Sequence, residues 1–311
     1  MIDANLKAKD RIYENLPDDL KELMRQHILS DEEHERVLRE IKVSSYYEKQ
    51  PVENPKFVLV LGQTGSGKSN LRSSLIRENP NMVVIDSDKY KAYRKDSSII
   101  QEKYLTKYAF LTAPDSYQHR DEMIEDTMKE RYNILMECAT SEKDGVFIDI
   151  DDIISKGYNV EIAVLGVSEL NSLLSIHERY ESQMKLIDSA AKLTSIDRHN
   201  DSYTSLTKCV KNIEGKGLKI QVYKRGINVP YNPVKVYSST DEIKKFHSAI
   251  EALEYCQNKD GEKTINEFGH RFSVIQQQMI SRQAPKEQYM QLQYVLEKYR
   301  EKSELELNIS K

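Results

Sequence analysis

The chain has 311 residues, with 46 lysines and arginines against 50 aspartates and glutamates and a formal net charge of −4. That length allows one sizeable domain or two small ones, and mixed charge with a pI of about 6.1 argues against a protein whose main work is coating nucleic acid, while leaving room for a local basic groove. No apolar run approaches the ~20 residues that span a bilayer, and Met1-Ile2-Asp3-Ala4-Asn5 lacks the layout of a signal peptide, so the expectation is a cytoplasmic chain with no membrane or nucleic-acid partner.

Residues 1–50 read as a helical pair. Leu16, Leu20, Leu23, Met24 and Ile28 recur at spacings of three and four. Ser30-Asp31-Glu32-Glu33 has the form of a capping box, with Ser30 accepting from the Glu33 amide while Glu33 reaches back, so a second helix starts there and runs through Val37, Leu38 and Ile41. Pro51 to Pro55 form a linker that stops it.

From 51 to 240 the texture changes to short apolar runs alternating with helical patterns, the mark of βαβ units and a mostly parallel sheet. The predicted strands are Phe57–Leu61, Met82–Asp86, Asn133–Glu137, Asn159–Gly166 and Leu218–Tyr223, with a short one at Val234–Tyr237. The first runs into a glycine-rich loop, the second into Asp86 and Asp88, and the third into Glu137. In open α/β sheets ligands bind off the carboxyl ends of strands. Residues 241–311, with Ile243, Phe246, Ile250, Leu253, Met290, Leu292, Val295 and Leu296, read as a helical extension whose end, Glu301 to Lys311, is polar enough to fray. Cys138, Cys209 and Cys256 are too widely spaced for a Cys-x-x-Cys metal pair and read as buried thiols.

Gly62-Gln63-Thr64-Gly65-Ser66-Gly67-Lys68-Ser69 satisfies G-x-x-x-x-G-K-[ST], with an apolar strand before it and a helical pattern from Asn70 after it. Its backbone amides would surround the phosphates of ATP or GTP at a helix N-terminus. Lys68 would reach the β- and γ-phosphates and the Ser69 hydroxyl would hold Mg²⁺. The acceptor, water or a substrate hydroxyl, is left open by this loop.

Asp88 stands where P-loop kinases keep a carboxylate able to take the proton of an attacking hydroxyl, but it could equally cap the helix that starts near Lys89. Asp86 carries the same ambiguity, with a Mg²⁺-bound water as its alternative duty. Glu137 ends an apolar central strand, where an unpaired carboxylate is costly and a functional role is favoured. Charge on the transferring phosphoryl group calls for cations beyond the loop. Arg179, Lys192 and Arg198 are the candidates, and His199 reads as structural.

These residues resemble the zeta toxins, a family of P-loop kinases acting on nucleotide sugars in bacterial toxin–antitoxin pairs. The similarity runs from about residue 29 to residue 240. It rests on Leu29-Ser30-Asp31-Glu32-Glu33-His34, on the loop followed by Leu71-Arg72-Ser73, and on Val84-Ile85-Asp86-Ser87-Asp88, whose second aspartate the family uses as its proposed base. Lys156-Gly157-Tyr158 through Glu178-Arg179-Tyr180-Glu181 extends it, and Val222-Tyr223 and Val236-Tyr237-Ser238-Ser239 close it. Two positions depart from the pattern. Where the family has Glu-Gly-Thr this chain has Glu137-Cys138-Ala139, losing a substrate hydroxyl unless Thr140 substitutes. The family's second clamping arginine falls on Lys192, which keeps the charge without the bidentate fork. Arg198 could compensate.

The expectation is therefore an α/β P-loop kinase core with a mostly parallel sheet flanked by helices, an N-terminal helical pair and a helical C-terminal extension. By resemblance it would phosphorylate a sugar hydroxyl of UDP-N-acetylglucosamine from ATP with Mg²⁺, as the toxin partnered by a small helical antitoxin that covers the nucleotide site. Asp88 would be the base and would lie with Glu137 and Thr140 at the acceptor. The alternatives are a kinase of the same fold acting on another nucleotide such as NAD, and a nucleotide-binding interaction protein with little transfer.

Overall fold

A computed structural model describes residues 17–104, 107–140, 149–185, 191, 193–226, 232–243, 245–258 and 262–309. Two N-terminal helices, α1 (Asp18–Arg25) and α2 (Asp31–Tyr46), precede the sheet. Leu16 of the expected apolar stripe lies outside the described residues. The start of α2 keeps half of the expected capping box. Ser30 Oγ accepts from the Glu33 amide at 3.3 Å, but the Glu33 carboxylate turns forward to Arg36, at 2.8 and 2.5 Å, instead of back. A bidentate guanidinium outcompetes one backbone amide.

The sheet has six strands: β1 (Lys56–Gly62), β2 (Met82–Ile85), β3 (Asn133–Ala139), β4 (Asn159–Gly166), β5 (Lys219–Lys224) and β6 (Val234–Ser238), in the spatial order β2-β3-β1-β4-β5-β6. All pairings are parallel except β5 with β6. This is the mostly parallel α/β sheet expected from the alternation of runs. Period-two alternation splits β1 between two cores: Phe57, Leu59 and Leu61 face one, Val58 and Val60 the other.

The first core is roofed by α2, by α7 (Ala113–Lys129), α8 (Ile150–Ser155) and α10 (Ile196–Glu214), and by α11 (Ala249–Asn258). Leu71, Leu75 and Ile76 of α3 (Lys68–Glu78) cover the second. Three short helices, α4 (Ser87–Tyr90), α5 (Ser97–Lys103) and α6 (Tyr108–Leu111), connect β2 to α7. A separate core joins α9 (Glu169–Met184) to a hairpin of α12 (Glu262–Ser281) and α13 (Lys286–Ile309), through Leu170, Leu173 and Leu174 against Phe268, Ile275, Met279, Leu292 and Val295. The tail expected to fray is helical through Ile309. No helix among the described residues is long and apolar enough to cross a membrane.

Candidate active site

The glycine-rich loop leaves the end of the central strand and enters α3, as the motif requires. Gly67 precedes the helix at φ 93° and Gly65 sits at φ 78°, both in the left-handed region that side chains disfavour. A Cβ on Gly65 would stand 2.2 Å from the Ser172 carbonyl oxygen of α9, so no larger residue fits. The loop is tied from behind: Gln63 Nε2 donates to the Val167 carbonyl at 2.5 Å, and the Thr64 amide donates to Ser202 Oγ of α10 at 3.0 Å. The buried Ser66 hydroxyl has no partner among the described residues. Ser69 is exposed and Asn70 half-buried in the first turn of α3.

Lys68 folds back over its own loop and donates to the carbonyls of Gly62 at 2.8 Å and Gln63 at 3.1 Å. Burial lowers its pKa to about 8; Glu137 and Cys138 oppose that, while Arg179 and Arg198 reinforce it. Arg179 and Arg198, from two different helices, therefore each lie close enough to Lys68 to repel it. Such a trio is what a polyphosphate would neutralise. Arg198 arrives in the first turn of α10, whose cap Ser195 accepts from the Arg198 amide at 3.3 Å. Arg179 is exposed on α9, with Nη2 donating to Thr194 Oγ1 at 3.3 Å and with Asp88 in electrostatic reach. Lys192 lies outside the described residues.

On the other side stand the carboxylates. The cap of α4 is Asp86, whose Oδ1 accepts from the Asp88 amide at 3.1 Å. The Asp88 carboxylate is 83% exposed and paired with Lys91 at 2.5 Å, so the helix does not use it as a cap. Glu137 is raised above the usual carboxylate range by burial, an effect that Arg72 and Lys68 counter. Arg72 explains how the sheet tolerates it: one guanidinium nitrogen bridges Asp86 at 2.6 Å and Glu137 at 2.9 Å. Sequence reasoning gave Arg72 no role, although a cation one turn beyond the loop lysine, near two strand-terminal carboxylates, was a usable signal. Thr140 is buried and donates its hydroxyl to the Ser202 carbonyl at 2.9 Å, tying β3 to α10. His199 holds Ser172 Oγ at 2.8 Å and Asn200 Oδ1 at 3.0 Å, bracing α9 against α10.

The matching family model is Zeta toxin, over residues 40–242. The chain belongs to the zeta toxin family. Its relatives include Toxin zeta of Enterococcus hirae, 26% identical over 254 residues that make up 76% of this chain and 87% of that protein. Toxin PezT of Streptococcus pneumoniae serotype 4 is 23% identical over 238 residues, 75% of this chain and 92% of the relative. A solved chain from the PezAT chromosomal toxin–antitoxin system of Streptococcus pneumoniae superimposes with TM-score 0.65 at 19% identity, covering 82% of this chain and 98% of that one. The AvrRxo1-ORF1:AvrRxo1-ORF2 complex with sulphate ions gives TM-score 0.52 at 13% identity, covering 86% of this chain and 84% of that one. The family model thus spans β1 to β6 with the loop, both aspartates, Glu137, Arg179 and Arg198, and stops before the α12–α13 hairpin.

Two other features lie away from this family site. The cavity of about 320 Å³ lined by Lys56, Leu75, Met82, Glu161 and Lys219 sits at the opposite, amino ends of the strands. His34, His119 and Glu122 gather their donor atoms within 4.8 Å. Their imidazoles stack at 4.0 Å with planes 14° apart, so an ion could not lie in both ring planes, where the lone pairs point. This is a hydrogen-bonded network: His34 Nε2 meets Glu122 at 2.8 Å, and His119 Nε2 meets the His34 carbonyl at 3.1 Å.

Proposed function

We propose that the chain is an ATP-dependent kinase that phosphorylates a sugar hydroxyl of a UDP-activated amino sugar, UDP-N-acetylglucosamine in the first instance, and acts as the toxin of a toxin–antitoxin pair. The observation that carries the reading is the set of charges gathered about the loop. Arg179 and Arg198 both lie within electrostatic reach of Lys68, and Asp88, whose carboxylate is 83% exposed, lies within reach of Arg179. A hydrolytic switch has no need of a second wall of carboxylates; an acceptor hydroxyl needs a base.

The loop fits a nucleotide: the glycine cradle closes to any Cβ at Gly65, the buried Ser66 hydroxyl has no hydrogen-bond partner among the described residues, and Lys68 donates to loop carbonyls from which a phosphate could draw it. Ser69 would hold Mg²⁺. Asp86, with Oδ1 on the Asp88 amide and Oδ2 on Arg72, would reach the ion through a water. When bound, the metal nucleotide supplies the phosphoryl group and neutralises part of its charge. Lys68, Arg179 and Arg198 draw charge from the phosphoryl oxygens, Asp88 accepts the hydroxyl proton, and Glu137, held by Arg72, orients the acceptor. Relatives drawn from toxin–antitoxin systems support an antitoxin as partner; by the family resemblance it would be a small helical protein covering the nucleotide site.

A second reading, an acceptor such as the ribose of NAD, draws on one observation. The Thr140 hydroxyl, the substitute for the one missing at Ala139, already donates to the Ser202 carbonyl. Incubating the protein with ATP, Mg²⁺ and a panel of UDP-sugars, NAD and nucleosides, and reading by mass spectrometry which compound gains one phosphate, separates the two. Gain on none of them sinks the kinase reading.

A further inference from the structure

The hairpin of α12 and α13 lies beyond the stretch that the family model matches, yet it grips the helix carrying Arg179. Arg271 of α12 donates Nε and Nη2 to the two carboxylate oxygens of Glu178 at 2.6 and 2.8 Å, and Nη1 to Asn171 Oδ1 at 2.7 Å. Arg282, which follows α12, donates Nε and Nη2 to Glu181 at 2.8 and 2.6 Å. Glu181 is 2% exposed. Tyr180 is held as well, its ring under the Arg282 guanidinium and its hydroxyl accepting from Gln288 Nε2 at 3.1 Å. Every immediate neighbour of Arg179 from 178 to 181 is thus fastened to the hairpin.

The opposite flank of α9 meets the nucleotide loop, where the Ser172 carbonyl fills the space beside Gly65 and Ser172 Oγ meets His199. One rigid helix therefore spans from the hairpin to the loop. The two sheet cores draw on no side chain of α12 or α13 among the described residues, so these forked contacts are not what holds the sheet together. Arg179 itself has one long hydrogen bond, to Thr194, and a guanidinium on an exposed stem goes where its backbone points it. Two bidentate forks one turn apart fix both the rotation and the axial register of a helix, which a single contact or an apolar face alone does not.

We propose that Arg271 and Arg282 are positioning residues that set α9 so that Arg179 reaches the transferring phosphoryl group. This makes the C-terminal hairpin part of the catalytic apparatus. The inference rests on the kinase reading above. A displacement of about 1 Å in such a group costs on the order of 10²-fold in rate.

The test is steady-state kinetics of ATP-dependent transfer in Arg271→Gln and Arg271→Lys, alone and in an Arg179→Ala background, with thermal unfolding as a check of folding. The expected result is a kcat lowered ~10- to 100-fold in Arg271→Gln, with the KM for ATP within about twofold of wild type. In the Arg179→Ala background the same change should cost less than about twofold, because Arg271 acts through Arg179. The charge-exchanged double variant Glu178→Arg with Arg271→Glu should recover part of the turnover. Unchanged kcat in a folded Arg271→Gln, or a full additional loss without Arg179, overturns the proposal and leaves the kinase reading intact. A wild-type protein with no transfer to any acceptor overturns both. Should Arg271→Gln fail to fold, Arg271→Lys, which keeps the charge and loses the fork, decides on the same criteria.

Discussion

Asp88 and Asp86 are two residues apart and of one chemical type, but their surroundings divide the work. Asp86 caps α4 and pairs with Arg72, while the Asp88 carboxylate is 83% exposed, paired with Lys91 and within electrostatic reach of Arg179. On the proposed reading, in which Asp88 is the base, Asp88→Asn should lower transfer by ~10²-fold or more with little change in ATP affinity, since the proposed base is lost and the Asp86 cap is not. Turnover within a few-fold of wild type would remove Asp88 from the proton transfer. Arg72 has the opposite character, structural first. Its guanidinium serves two carboxylates that are each about a fifth exposed, and removing it takes away the cation they share. Arg72→Ala should destabilise the fold by about 2 kcal/mol, below the range for fully buried pairs because water still reaches the site. Adding Glu137→Gln should restore part of that. Urea unfolding of the two variants checks both statements, and a loss below about 0.5 kcal/mol would show that the bridge is idle.

Helix α9 is the element on which most of the site depends. It supplies Arg179, walls the loop through Ser172, and buries His177 at 2% exposure with its Nε2 unpartnered among the described residues. Burial lowers the His177 pKa to about 4, against the partial opposition of Glu181. The unfolded chain binds that proton near the ordinary value of 6.5 and the folded one does not, so stability is lost as pH falls from 6.5 towards 4. At pH 5 the loss from this one group is about 2 kcal/mol. His177→Leu, which fills the site without titrating, should lose about that much less than wild type between pH 7 and pH 5, measured by urea unfolding at the two pH values. Equal losses would mean that the imidazole is hydrated or paired in solution. His119, also lowered to about 4 by burial, acts in the same direction in both proteins, whereas His34, raised by Glu122, opposes it.

Taken whole, the molecule is a nucleotide loop at the end of the central strand, enclosed by helices that come from distant parts of the chain. Because the loop continues β1 directly, ATP with Mg²⁺ at about 100 times its dissociation constant should add about 2.7 kcal/mol to the stability of the entire fold. A thermal shift of a few degrees in wild type, absent in Lys68→Ala, is the expected result; equal shifts would place the nucleotide elsewhere. The loop, the strand segments and the mostly parallel sheet were legible in the residues because they depend on local chemistry, whereas the spatial order of the strands was not. A glycine pattern needs only its own backbone angles, and apolar runs of five between helical patterns leave few sheets to build. Asp88, Glu137 and Arg179 were each read from a place relative to a strand or motif, and their roles belong to the proposal. The capping role of Asp86 was one of two alternatives that the sequence left open. Three things were not legible: the Arg72 bridge, the tying of Thr140 to α10, and the grip of Arg271 and Arg282 on α9. Each is a contact between residues separated along the chain by 14 to 101 positions, and in the arginine contacts the partner is chosen by competition among nearby carboxylates. Local pattern determines where a helix begins and which face is apolar. Which carboxylate takes which guanidinium is decided only when packing brings them within about 3 Å, since ion pairing falls off with distance and carries no periodicity for a sequence to display.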